Sequence, residues 1–141
     1  MIKTSLIEMA QFESAKQTDN KLRWDCNVQG VPFSLYIPKW RVPEPWPSRI
    51  WVRVDLCRNE GDYGANLSLN DVKIDSALRH EPIVVAVTRH EEKTQTIRYR
   101  PVGENNSWEV GEPYIPISLT SNKADKLRLV ILWDILSRGS F

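Results

Sequence analysis

Alternation of apolar and polar residues runs through most of this chain, and it constrains the fold more than any other feature. Leu22, Trp24, Cys26 and Val28 alternate with Lys21, Arg23, Asp25 and Asn27, the pattern of a strand with one buried face. Gln29-Gly30 offers a turn in which Gly30 can take positive φ. Val31, Phe33, Leu35 and Ile37 then alternate with Pro32, Ser34 and Tyr36, so residues 21 to 38 are expected to form a β-hairpin. Ile50, Val52, Val54 and Leu56 make another apolar face, with Trp51, Arg53, Asp55 and Cys57 opposite. Ile83 to Thr88 is β-branched and apolar, and Lys93 to Tyr99 alternates, which predicts a second hairpin closed by His90-Glu91-Glu92. Leu127, Leu129, Ile131, Trp133 and Ile135 predict a long final strand before a tail from Ser137 to Phe141.

Other stretches are less regular. Residues 2 to 12 fit a helical stripe or a strand, and the turn chemistry of Asp19-Asn20 favours a strand paired into the meander. Between residues 58 and 81, Gly61, Asp62 and Gly64 mark turns, and Leu67, Leu69, Val72 and Ile74 suit either a short strand or one helix, which Asn70 or Asp71 would cap and which would reach Leu78. The segment from Trp108 to Leu119 is strand-like but broken by Gly111, Pro113 and Pro116, which predicts an edge strand or a bulge, since proline cannot donate to a ladder. The expectation is an all-β chain with one short helix at most: an antiparallel β-sandwich or β-barrel of about seven to nine strands, in a single domain spanning 1–141. A chain of 141 residues with 41% apolar and 26% charged residues has the means to build such a core without staples.

Within this β pattern one stretch stands apart. Lys39 to Trp51 holds three tryptophans, three prolines and three cations. Proline removes N–H donors and restricts φ, while tryptophan offers a broad stacking face with a polar tip, so the loop is stiff and adhesive. It also opens the most basic part of the chain: residues 39 to 58 carry a net +3 and residues 59 to 92 a net −4, although the whole chain is only +1. Mutual neutralisation of these neighbours is therefore the first alternative to a charged ligand. Arg23, Arg53, Arg98, Arg100 and Arg128 all fall in the outward phase of their strands, and would form a basic face beside Trp51 if those strands lay side by side.

Three roles fit the loop. Trp40, Trp46 and Trp51 with Arg41, Arg49 and Arg53 can hold a single-stranded nucleic acid, by stacking and phosphate neutralisation. The same residues can anchor a protein segment or a second copy of the chain, because Trp and Arg lead among interface hot spots. Alternatively, Trp40 and Trp46 fold back as a plug over the end of a barrel.

Catalytic chemistry finds little support. The two histidines recur in Arg79-His80-Glu81 and Arg89-His90-Glu91, but ten residues of straight strand separate them by roughly 33 Å. Cys26 and Cys57 lack C-x-x-C spacing and a neighbouring base, and read as free thiols. Gly61-Asp62-Tyr63-Gly64 lacks the lysine of a phosphate-binding loop, and Asn59, Asp62 and Asn66 do not match an EF-hand. The reading is thus a non-enzymatic binding domain without catalytic residues, metal or cofactor; the alternative is a small carbohydrate-binding or hydrolytic β domain using the tryptophans as a sugar platform. Residues 1 to 15 have no continuous apolar core of a secretory signal and the apolar runs are five residues long, so no membrane association and a cytoplasmic location are expected.

Overall fold

Alternation becomes eight strands in a computed structural model that describes residues 6–10, 20–57, 67–103 and 107–134. They are β1 (Ile7–Ala10), β2 (Lys21–Val28), β3 (Val31–Pro38), β4 (Arg49–Leu56), β5 (Ile83–Glu92), β6 (Thr96–Pro101), β7 (Tyr114–Pro116) and β8 (Lys126–Leu132). All neighbours are antiparallel, and the order β1-β2-β3-β7-β6-β5-β8-β4 closes back on β1. Closure leaves no sheet edge, which removes the hazard of unpaired strand backbone. The expected strands at 2–12 and 127–135 are described only in part, and residues 58–66 and 137–141 lie outside the described residues. Among the described residues no helix is long and apolar enough to cross a membrane.

Inward residues are those the alternation predicts: Leu22 and Trp24 on β2, Phe33, Leu35 and Ile37 on β3, Ile50, Val52 and Val54 on β4, and Leu127, Leu129 and Ile131 on β8 are all buried in one core. The β2–β3 turn places Gln29 at φ 51° and Gly30 at φ 84°, two positive values in succession that match the twist of a two-residue hairpin. At the end of β4 the alternation breaks. Leu56 turns outward at 40% exposure and Cys57 turns inward, because the chain leaves the strand there, with the Cys57 amide donating to the Lys126 carbonyl.

Other departures have local causes. β5 runs on to Glu92, with a register shift between Arg89 and Glu91, so its hairpin turns at Lys93 to Gln95 rather than at His90 to Glu92. β7 was expected at an edge or bulge. It is instead a three-residue strand inside the closed barrel, held to β3 by the single ladder pair Ser34–Tyr114 and prolonged by the Gly111 amide donating to the Tyr36 carbonyl. The helix α1 (Leu69–Ile74) starts earlier than Asn70 or Asp71 would cap it. Ser68 is the cap: its hydroxyl accepts from the Asp71 amide and its own amide donates to the Asp71 carboxylate. It stops at Ile74 because Asp75 caps a separate 3-10 turn, Ser76–His80.

The barrel repeats one plan twice. β1-β2-β3, a 3-10 turn and β4 are followed by β5-β6-β7, a 3-10 turn and β8. β4 pairs with β8 and β3 with β7, so each joint between halves unites a strand with its own counterpart, as a two-fold relation requires. The residues agree: Leu22-Arg23-Trp24-Asp25 recurs 75 residues on as Ile97-Arg98-Tyr99-Arg100, and Val54 faces Leu129 at the same offset. Tyr36-Ile37-Pro38 recurs as Tyr114-Ile115-Pro116, each followed directly by its 3-10 turn. Each half thereby sends a loop over one end of the barrel, and a core aromatic holds it: the Trp24 indole N–H donates to the Pro47 carbonyl, the Tyr99 hydroxyl to the Ala124 carbonyl.

Candidate functional site

The two end loops are not equals. From the Tyr-Ile-Pro motif to the facing pair Val54–Leu129, the first half is three residues longer than the second: one of them lengthens the tryptophan-rich loop, 42–48 against 120–125, and two lengthen the start of β4. Pro38 leads into the 3-10 turn Lys39–Arg41, whose start is tied by the Lys39 amide to the Asn20 carbonyl. Val42 and Pro43 then dip into the barrel end, Glu44, Pro45 and Trp46 rise out of it, and Pro47 returns under the Trp24 indole at 3.0 Å.

Arg41 occupies the centre of this end. It was expected among the contact cations, but it is fully buried. Its Nε donates to Glu109, Nη1 to the Arg79 carbonyl at 2.9 Å, and Nη2 to the carbonyls of Glu81 at 2.8 Å and Pro82 at 3.1 Å. The guanidinium lies 5.9 Å from the ring centre of Trp133, whose indole also donates to Glu81. A planar cation with five donors satisfies several segments at once, which a lysine could not do. The counterpart position in the second half is Leu119, packed against the core. Burial pushes the Glu109 carboxyl above its usual range, opposed by Arg41 and by the Leu67 amide. From outside, Arg79 completes the clamp by donating to the Val42 carbonyl and pairing with Glu44.

The plug is therefore Arg41, Val42 and Pro43, not Trp40 and Trp46. Trp40 is half-buried, and Trp46 stays 39% exposed with the Lys39 ammonium 5.4 Å from its ring centre. Trp51 is half-buried on the outer, polar face of β4, between Glu8 and Leu132 in register. Arg49 lies beside Trp51 in sequence and is paired with Glu8; Arg53 shares Asp55 with Arg128. The five outward arginines do not form one face. Arg53 and Arg128 lie on the adjoining strands β4 and β8, Arg23 on β2 beyond β1, and Arg98 and Arg100 on β6 beyond β5, and Arg23, Arg98 and Arg100 are paired with Asp25, Glu91 and Glu112. Neutralisation holds, but the acidic neighbour segment is not its main source: Glu8, Asp55 and Glu109 supply the carboxylates, and Glu44–Arg79 links the two segments with the opposite polarity.

Two features of this end escaped the sequence pattern. Helix α1 packs against the Lys39–Arg41 turn and leaves Leu69 40% and Ile74 87% exposed while Val72 is buried. A short helix is among the expectations at this position, but one inward residue gives no periodic signal for the face on which it packs. The buried Arg41 gives none either, since an arginine between Trp40 and Val42 reads as surface.

The remaining candidates stay apart. His80 ends the 3-10 turn before β5, while His90 lies toward the far end of β5, where its Nε2 is 3.1 Å from Arg100. Cys26 and Cys57 are not joined in a disulfide, and burial raises the Cys26 thiol pKa. Among the described residues, no three His, Cys, Asp or Glu side chains converge as metal ligands would. Comparison of the chain with protein-family models, curated proteins and solved structures finds no match.

Proposed function

We propose that this chain is a non-enzymatic binding domain that grips a protein segment with the tryptophan-bearing end of its barrel. One observation carries the reading: Trp46 is held outward on a loop whose flanks are clamped by Arg41, Trp24 and Arg79. A large aromatic presented on a rigid support loses little entropy on binding, which is the profile of a hot-spot anchor. Leu69 and Ile74 on the adjacent helix extend the apolar surface, and Lys39 and Arg49 give it a polar rim. A single-stranded nucleic acid fits less well. Its phosphates would have to displace carboxylates already paired with Arg49 and Arg53.

Selection from a displayed random-peptide library tests the reading. Peptides enriched on the intact domain should lose roughly thirtyfold or more in affinity for Trp46→Ala, the cost of truncating a hot spot. A library that yields only binders indifferent to Trp46 contradicts it. In parallel, salt-sensitive binding of oligo-thymidine that weakens in Arg49→Ala would move the function to nucleic acid.

A further inference from the structure

Arg23, Asp25, Cys26, Asn27, Pro32 and Ser34 line an open groove of about 300 Å³ on the outside of the β2–β3 hairpin. That volume is at the lower bound of small-molecule sites. Asp25 organises it: one carboxylate oxygen, Oδ1, accepts from Arg23 Nε at 2.7 Å and from the Ser34 hydroxyl at 2.5 Å. Arg23 is steadied in turn by Tyr36, whose ring centre lies 5.8 Å away and whose hydroxyl meets Nη1 at 3.4 Å. Asp25 Oδ2 and Arg23 Nη2 have no partner among the described residues, so an acceptor and a donor stand side by side on a half-buried, preorganised pair. Asn27 adds an exposed amide. Next to Ser34 in register, Tyr114 is 42% exposed and offers a flat face on the flank.

The second half of the barrel lacks this arrangement. Arg100 stands where Asp25 does and is paired with Glu112, so the groove belongs to the first half alone.

Charge and chemistry together select the ligand. Arg23 and Asp25 cancel, which favours neither an anion nor a cation. Paired donor and acceptor beside an aromatic face suit a molecule whose hydroxyls both give and accept hydrogen bonds and whose other side is C–H. We propose that this groove binds a neutral sugar ring, its hydroxyls bridging Asp25 and Arg23 and its C–H face resting against Tyr114. The site is separate from the Trp46 surface and does not depend on that reading.

Amide NMR of the full chain, titrated with D-glucose, D-mannose, N-acetyl-D-glucosamine and, as a charged counter-probe, inorganic phosphate, decides the matter. At least one sugar should give saturable shifts centred on residues 23–34 while phosphate gives none there. Tyr114→Ala should weaken that sugar roughly fivefold, and Asp25→Asn about tenfold or more. Should Asp25→Asn fail to fold, the exposed Tyr114 still carries the comparison. Absence of saturable shifts with all three sugars, phosphate shifts in their place, or an affinity unchanged in Tyr114→Ala overturns the proposal.

Discussion

Arg41 shows how far a single residue's setting outweighs its type. A buried cation is tolerated only when its charge is answered and its nitrogens find acceptors, and here one carboxylate and three carbonyls take bonds from all three nitrogens. Arg41→Met should therefore cost roughly 3–5 kcal/mol in urea unfolding at neutral pH, because it strands the Glu109 carboxylate. Arg49→Ala, which breaks an exposed pair with Glu8, should cost less than about 1 kcal/mol. The two cations sit eight positions apart on the same loop, yet the predicted effects differ several-fold. Arg41→Met also has a pH signature. Burial already raises the Glu109 pKa against the pull of Arg41, so removing Arg41 raises it further. A carboxyl whose folded pKa exceeds its unfolded value stabilises the fold while protonated and loses that contribution as pH rises through the folded pKa. The variant should then be destabilised less in acid than at neutrality, and an equal deficit at both would contradict the assignment.

Among the elements, the end loops are where local rules and tertiary contacts meet. Trp24→Phe removes the bond to Pro47 together with part of the buried indole, and should cost about 2 kcal/mol or more while speeding amide exchange in the loop that follows β3. Ser68→Ala should cost about 1 kcal/mol through the lost cap of α1. Unchanged exchange in the first case, or unchanged stability in the second, would show that these contacts do not hold their elements. Much of the strand pattern could be read beforehand, since Leu22, Trp24, Phe33, Leu35, Ile37, Ile50, Val52 and Val54 reveal their inward phase by period two alone. The cap of α1 could not be read with the same ease, because Ser68, Asn70 and Asp71 are all competent caps and only the tertiary seat of Val72 chooses among them. At the loop, the stiffness and the tryptophans were legible. Which residue turned inward was not, because the partners of Arg41 come from two distant segments: residues 79–82 and Glu109.

At the scale of the whole molecule, the doubled plan explains both the closure and its asymmetry. Two similar four-stranded halves meet along β4–β8 and β3–β7, and each covers one end of the shared barrel with a loop tied to a core aromatic. The offset of 75 residues that relates Arg23 to Arg98 and Trp24 to Tyr99 is present in the sequence but too sparse to stand out from ordinary alternation. Tyr99→Phe, which frees the far loop from its tie to Ala124 without opening a cavity, should cost about 1 kcal/mol, less than Trp24→Phe, and leave the tryptophan loop untouched. The proposed binding surface lies where the symmetry is broken, since the longer loop with the buried arginine is the one that lifts a tryptophan into solvent. The proposed anchor requires a Trp46 that is exposed yet held still. Fluorine NMR of fluorotryptophan-labelled protein, with the Trp46 signal assigned by its loss in Trp46→Phe, measures both properties at once. A signal that shifts with solvent isotope but keeps the linewidth of the core Trp24 agrees with the account; a narrow, freely averaging line, or one blind to solvent, contradicts it.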